Sequence, residues 1–273
     1  MKLNDLSEKL KSISPNSRLD AEFILMRVLK KTRAQILMAD EFIFSSTEQH
    51  QFELILQRYL KGEPLAYIFG EKEFWSLNFK VTQEVLIPRA DTESMIEFIL
   101  KNFTGKNNLK VADLGTGSGA IAIAIAYEKP QWKIHALDFS ESALKIAQEN
   151  AQQNSIHNIE FFSGDWCVGL PWRDYDLIVS NPPYIAQNDA HLSALKFEPQ
   201  KALVSGEQGL DDLQKIIEQA PFYLKNQGFL IVEHGFDQAE AVKKLLLEND
   251  FTDVEVHRDL GGNFRFTVAR TAE

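Results

Sequence analysis

Cysteine is almost missing from this chain: there is one, Cys167, in 273 residues. A lone cysteine excludes an internal disulfide, and no Cys or His cluster stands at metal-ligand spacing, so no metal site is expected. Cys167 is read as a small packing residue. Long apolar runs are missing as well. No stretch is apolar and charge-free enough to span a bilayer, and the opening MKLNDLSEKL lacks a signal-peptide core. A cytoplasmic protein with no membrane partner is the expectation. The third absence is surplus positive charge. The chain carries 29 Lys+Arg against 39 Asp+Glu, and the deficit falls late: residues 1–90 hold 13 against 12, the remainder 16 against 27. Tight binding to bare nucleic acid rests on a basic patch that displaces counterions. None is visible, so a protein or small-molecule partner fits better than nucleic acid.

What is present, 44% hydrophobic and 25% charged residues, is ordinary for a soluble globular protein, and the length suggests one large domain with a small appendage. Residues 1–73 read as helices. After a capping box of Ser46 and Gln49, Phe52, Ile55, Leu56, Tyr59 and Leu60 fall on one helical stripe, and Leu19, Phe23, Met26 and Leu29 form another. These stripes predict the core of a helical bundle. Residues 74–88 switch to period two, with Phe79 and Val81, then Val85 and Ile87, as in a β-hairpin linker. Asp91 is placed to cap a helix running to Leu100.

From residue 89 to 273 strands and helices alternate. The predicted strands are residues 110–114, 133–137, 159–162, 176–180, 229–233, 252–257 and 264–269, with helices notably at 121–127, 140–153 and 210–224. Such alternation predicts an α/β fold with a mostly parallel sheet, covered on both faces, whose ligands bind beyond the carboxyl ends of the strands.

The segment VADLGTGSGA (111–120) closes the first strand and enters an apolar helix. Gly115, Gly117 and Gly119 let the backbone turn sharply and approach a ligand with no Cβ in the way. Asp138, 19 residues beyond Gly119 and just past the second strand, is suited to accept hydrogen bonds from both ribose hydroxyls of a nucleoside cofactor. Gly115, Gly117 and Ala120 also satisfy the looser dinucleotide fingerprint, so up to this point NAD and S-adenosylmethionine are both open. Asp165-Trp166 follows the third strand, where the indole can flank an adenine and the carboxylate can face its amine.

Asn181-Pro182-Pro183-Tyr184, directly after the fourth strand, decides for methyl transfer onto a planar NH2 group. The nitrogen of an amide or aromatic amine is a poor nucleophile because its lone pair is delocalised. The Asn181 side-chain oxygen and the Pro182 carbonyl can accept its two N–H bonds and draw it toward tetrahedral geometry. The prolines supply carbonyls without competing donors, and Tyr184 can stack on the planar group. Adenine-N6 and glutamine amides pose the same problem, so the acceptor is open on chemistry alone. A base-flipping DNA enzyme needs a basic grip, which the charge balance disfavours. A non-catalytic nucleotide-binding module would have no use for the tetrapeptide. His234, after the fifth strand, is the one histidine of six placed to matter.

Taken together, residues 63–70 (EPLAYIFG), 86–93 (LIPRADTE), 113–119, 181–185 (NPPYI), 198–199 (EP) and 233–235 (EHG) resemble the PrmC/HemK family of protein-(glutamine-N5) methyltransferases, which act on peptide chain release factors. The likeness covers nearly the whole chain. Ala90 departs from it, standing where the family commonly has a second proline. The resemblance implies a Rossmann-like class I methyltransferase sheet with a reversed seventh strand and an N-terminal bundle that helps hold the release factor. It assigns the methionine end of S-adenosylmethionine to Gly115, Thr116, Gly117, Ser118 and Gly119, and Asp113 and Asn181 are also expected to bind the cofactor. It gives ribose to Asp138, adenine to Trp166, and the substrate amide to Asn181, Pro182, Pro183 and Tyr184. Arg89 is expected to neutralise a carboxylate or brace the cofactor pocket, or else to form a structural ion pair.

Overall fold

The computed structural model describes residues 1–272, and the chain divides into two compact units, Met1–Gly70 and Glu71–Glu273. The first is all helical: α1 (Leu3–Leu10), α2 (Ser17–Leu29), α3 (Arg33–Leu37), α4 (Ser46–Leu60) and α5 (Leu65–Phe69). Its core gathers Leu6, Leu10, Ile24, Leu25, Ile36, Phe52 and Leu56. In α2 the buried stripe is Ala21, Ile24, Leu25 and Val28, while Leu19 of the expected stripe is exposed. This helix is apolar on most sides, so two stripes compete and spacing alone does not choose between them. The cap of α4 is Ser45, one residue earlier than expected. Ser45 accepts from the Glu48 amide, and the Glu48 carboxylate accepts from the Ser45 amide at 2.8 Å. A charged acceptor in the first turn is favoured over the neutral Ser46/Gln49 pair because it also meets the positive end of the helix.

The second unit opens with a hairpin of β1 (Glu71–Phe74) and β2 (Leu77–Lys80), which overlaps only the start of the expected linker and takes in Phe79 of its period-two run. Trp75 and Ser76 form the two-residue turn with φ of 51° and 57°. That geometry normally advertises itself by Asn-Gly, so this pair gave no signal. Val81, Val85 and Ile87 are buried but lie outside any strand. Asp91 does not cap: it sits in a short 3-10 turn, Ala90–Thr92, that leads into α6 (Glu93–Asn102), and its carboxylate pairs with Arg265 at 3.4 Å.

Then follow β3 (Lys110–Leu114), α7 (Ala120–Glu128), β4 (Lys133–Asp138), α8 (Glu141–Gln153), β5 (Ile159–Ser163), β6 (Tyr175–Ser180), α9 (Asp211–Gln219), β7 (Leu224–Glu233), α10 (Ala239–Glu248), β8 (Phe251–Arg258) and β9 (Phe264–Thr271). The seven strands lie in the order β5-β4-β3-β6-β7-β9-β8. All neighbours from β5 to β7 are parallel, whereas β9 runs antiparallel to both β7 and β8. The chain steps outward from β3 on one side through β4 and β5, then returns to the other side with β6. Strand order therefore reverses at β3 and β6, where the carboxyl ends diverge and leave a crevice.

No helix among the described residues is long and apolar enough to cross a membrane. Cys167 is fully buried and burial pushes its thiol up to about 12, so it packs rather than reacts.

Candidate functional site

The crevice between the carboxyl ends of β3 and β6 opens into a cavity of about 810 Å³, within the size range of small-molecule sites. Its floor is the glycine turn after β3. Gly115 and Gly117 take φ of 69° and 55°, the left-handed region open to glycine at no steric cost. A Cβ on Gly115 would sit 3.0 Å from the Trp166 ring, so the missing side chain lets the indole lie against the turn. Gly119 serves packing instead. At φ of 83°, a Cβ there would meet Ile123 Cδ1 at 2.8 Å and Ala147 Cβ at 3.2 Å, which would push α7 off α8.

Asp113 is fully buried and does not reach the cavity wall. Its Oδ2 accepts from the Thr116 hydroxyl at 2.6 Å and from the Ala122 amide at 3.2 Å. It thereby shapes the turn and satisfies an otherwise unpaired N–H in the first turn of α7. Burial pushes its carboxyl up to about 7, against the pull of these two donors. Of the loop residues read from the sequence, Gly115, Thr116, Gly117 and Ser118 line the cavity; Asp113 and Gly119 hold them in place.

Asp138 ends β4 beside the glycine turn and also lines the cavity. Its Oδ2 accepts from the Gly117 amide and its Oδ1 from the Ser140 amide, both at 2.9 Å. A carboxylate has about four acceptor positions, so two backbone bonds fix its plane and leave lone pairs for a ligand. Burial raises its pKa and the backbone donors oppose the rise. Asp165 and Trp166 line the cavity on a tight turn in which Trp166 has φ of 53°. A bulky residue in that region stores strain of about 1–3 kcal/mol, typical of side chains held for a ligand. The indole N–H donates to Asp212 Oδ1 at 3.2 Å, which fixes the ring.

Asn181 and Pro183 line the cavity, whereas the buried Pro182 and the half-buried Tyr184 do not. The Asn181 Nδ2 donates to the Thr92 hydroxyl at 3.3 Å, and that hydroxyl donates to Glu233 Oε2 at 2.7 Å. The Tyr184 hydroxyl reaches Glu233 Oε1 at 3.4 Å. Burial raises the Tyr184 pKa, helped by the neighbouring Glu233, so the phenol stays protonated. Arg89 lines the cavity and donates to Glu198 at 2.5 Å. His234 is buried with both ring nitrogens engaged, Nδ1 with the Gly235 carbonyl and Nε2 with the Thr267 hydroxyl, each at 2.8 Å. Burial lowers its pKa, so it is a neutral structural residue.

Sequence reading missed three residues. Thr92 and Glu233 lie in segments that carried the family likeness, 86–93 and 233–235, but no spacing linked them. Asn150 gave no signal at all. Fully buried in α8, it accepts from the Lys80 amide at 2.6 Å and donates to the carbonyls of Lys80 at 3.0 Å and Ser118 at 2.9 Å. One side chain thus ties hairpin, helix and glycine turn together.

This sheet order, with a glycine turn after its first strand and an acidic residue closing its second, defines the Rossmann-like class I methyltransferases. In keeping with that class, the Methyltransferase small domain family matches residues 89–268, and the PrmC N-terminal domain matches residues 2–70. A methyltransferase from Pyrococcus furiosus shares the fold, with a TM-score of 0.56 at 16% identity, over 80% of this chain and 98% of that one. Among curated relatives, the release factor glutamine methyltransferase of Coxiella burnetii is 50% identical over 97% of this chain and 96% of its own. That of Aliivibrio fischeri is 43% identical over 94% and 91%. The chain belongs to the release factor glutamine methyltransferase family.

Proposed function

We propose that this chain transfers a methyl group from S-adenosylmethionine to the side-chain amide nitrogen of the glutamine in the Gly-Gly-Gln loop of peptide chain release factors. The observation that carries the reading is the orientation of Asn181: its Nδ2 is engaged by Thr92, which leaves Oδ1 as an acceptor on a cavity-lining residue. An acceptor there suits an incoming NH2 group.

The residues fit the cofactor. Asp138 offers a carboxylate with its plane fixed, as a ribose diol requires, and the half-buried Trp166 offers an aromatic face for adenine. Gly117 has open space where a side chain would stand, so its backbone can be approached closely. When bound, S-adenosylmethionine supplies a methyl group activated by its sulfonium.

The chain's own residues then act on the acceptor. Asn181 Oδ1, on the cavity wall, accepts an N–H bond of the glutamine amide and draws its lone pair out of conjugation. Pro182 and Pro183 bring no N–H that would compete. Tyr184, a neutral phenol behind the cavity wall, reaches Glu233 and braces the turn that carries Asn181. The nitrogen becomes acidic as its new bond forms and releases its proton to water, so no strong base is needed. Orientation and fixed dipoles supply the acceleration.

A three-residue loop offers little contact area, so recognition needs a second surface, for which the helical unit of residues 1–70 is the natural source. Removing it is expected to impair methylation of a whole release factor far more than that of a short Gly-Gly-Gln peptide. The rates of the two substrates are compared on a truncated chain that still melts cooperatively. Equal losses for both would show that the helical unit does not hold the factor.

A further inference from the structure

An amide has two nearly isosteric edges, and only one is useful here. With Oδ1 toward the cavity Asn181 accepts an N–H; with Nδ2 there it repels one. Exchanging the edges needs only a rotation of the terminal amide, so some neighbour must read the difference.

The register of the sheet supplies that neighbour. Ser180 of β6 pairs with Val232 of β7, so Asn181 and Glu233 stand side by side at the carboxyl edge of the sheet. Glu233 is 1% exposed, and as a carboxylate it can only accept. Thr92 has a single hydroxyl hydrogen, and it is committed to Glu233 at 2.7 Å. What Thr92 presents to Asn181 is therefore a lone pair, which only the Nδ2 edge can satisfy. We propose that Glu233, acting through the Thr92 hydroxyl, is the positioning residue that keeps the acceptor edge of Asn181 turned to the substrate. This rests on the methyl-transfer reading above.

The relay depends on the ionisation of Glu233. The groups facing it are Arg265 on β9, Asp91 in the turn before α6, and the hydroxyls of Thr92 and Tyr184. Arg265 is itself shared with Asp259 at 3.0 Å and Asp91 at 3.4 Å, and the adjacent His234 is held neutral. Burial outweighs the stabilising donors and pushes Glu233 up to about 7. Once protonated, Glu233 can donate to Thr92, whose own hydrogen then turns toward Asn181 and favours the Oδ1 edge. The Asn181 NH2 would face the cavity and the acceptor would be lost. Because the competent form is the ionised one, single-turnover methylation rises with pH through about 7 and falls below it.

The test is single-turnover methylation of a whole release factor by the full chain as a function of pH, with S-adenosylmethionine affinity measured by calorimetry on each variant. Thr92→Val keeps shape and removes the hydroxyl; it is expected to lower the rate about 10-fold or more with cofactor affinity unchanged. Thr92→Ser restores the hydroxyl and should recover the rate to within about 3-fold of the unaltered chain. Glu233→Gln should lower the rate at pH 8 and abolish the acid limb near pH 7. The proposal is overturned by a wild-type rate in Thr92→Val, or by an unchanged acid limb in Glu233→Gln, which decides alone if Thr92→Val fails to bind cofactor. No methylation by the unaltered chain overturns the functional reading instead.

Discussion

Replacing Asn181 with alanine is expected to lower single-turnover methyl transfer by about 100-fold or more while changing cofactor affinity little. The lost acceptor matters most as the nitrogen rehybridises, when its N–H bonds become more acidic, so its contribution grows from ground state to transition state. The surroundings favour a clean loss. Among the described residues the Asn181 side chain has one hydrogen-bond partner, Thr92, and Thr92 keeps Glu233 as its acceptor when Asn181 is gone. Rapid-quench measurement of label transfer, alongside calorimetry of cofactor binding, separates the two effects. A wild-type rate in Asn181→Ala would reduce the tetrapeptide to a turn.

Asp138→Ala is expected to act on the cofactor instead, weakening S-adenosylmethionine binding by roughly 10- to 150-fold. A lost charged hydrogen bond is worth about 1.5–3 kcal/mol, and tenfold corresponds to about 1.4 kcal/mol. The structure argues for the upper part of that range. The same carboxylate holds the amides of Gly117 and Ser140, so its removal also loosens the glycine turn. Isothermal titration reads the change directly; binding of NAD in place of S-adenosylmethionine would undo the assignment of the cavity.

How much of this was legible in the sequence depended on whether a feature is local. The glycine turn, Asp138, Trp166 and the Asn181 tetrapeptide each follow a strand directly, so locating the strand located the residue at the sheet's carboxyl edge. β3 was read to the residue, and the other six strands to within a few residues at their ends, apart from the early part of β7, residues 224–228. The hairpin was misplaced because its turn uses Trp75 and Ser76, residues with no turn signature. The helix after Asp91 was found but its cap was not, because Asp91 pairs with Arg265, a partner visible only after the sheet has formed.

The same limit hid the residues behind the site. Thr92 and Glu233 are 141 positions apart and meet only through the pairing of β6 with β7 and the 3-10 turn before α6. Asn150 and Lys80, 70 apart, are joined by the docking of the hairpin on α8. Long-range polar contacts leave no periodicity, since each partner is a single residue on its own element. The roles of Asp113 and Gly119 were blurred for a related reason: both belong to the glycine motif, yet they brace the turn and the α7–α8 packing instead of facing the cavity.

The central claim is that the acceptor is a glutamine amide of a release factor. It is tested most directly by mass spectrometry of a release factor after incubation with the full chain and labelled S-adenosylmethionine. The account predicts one added methyl group, on the glutamine of the Gly-Gly-Gln loop, and none when that glutamine is replaced by alanine. Label in adenine-containing DNA, with none in any release factor offered, would contradict it.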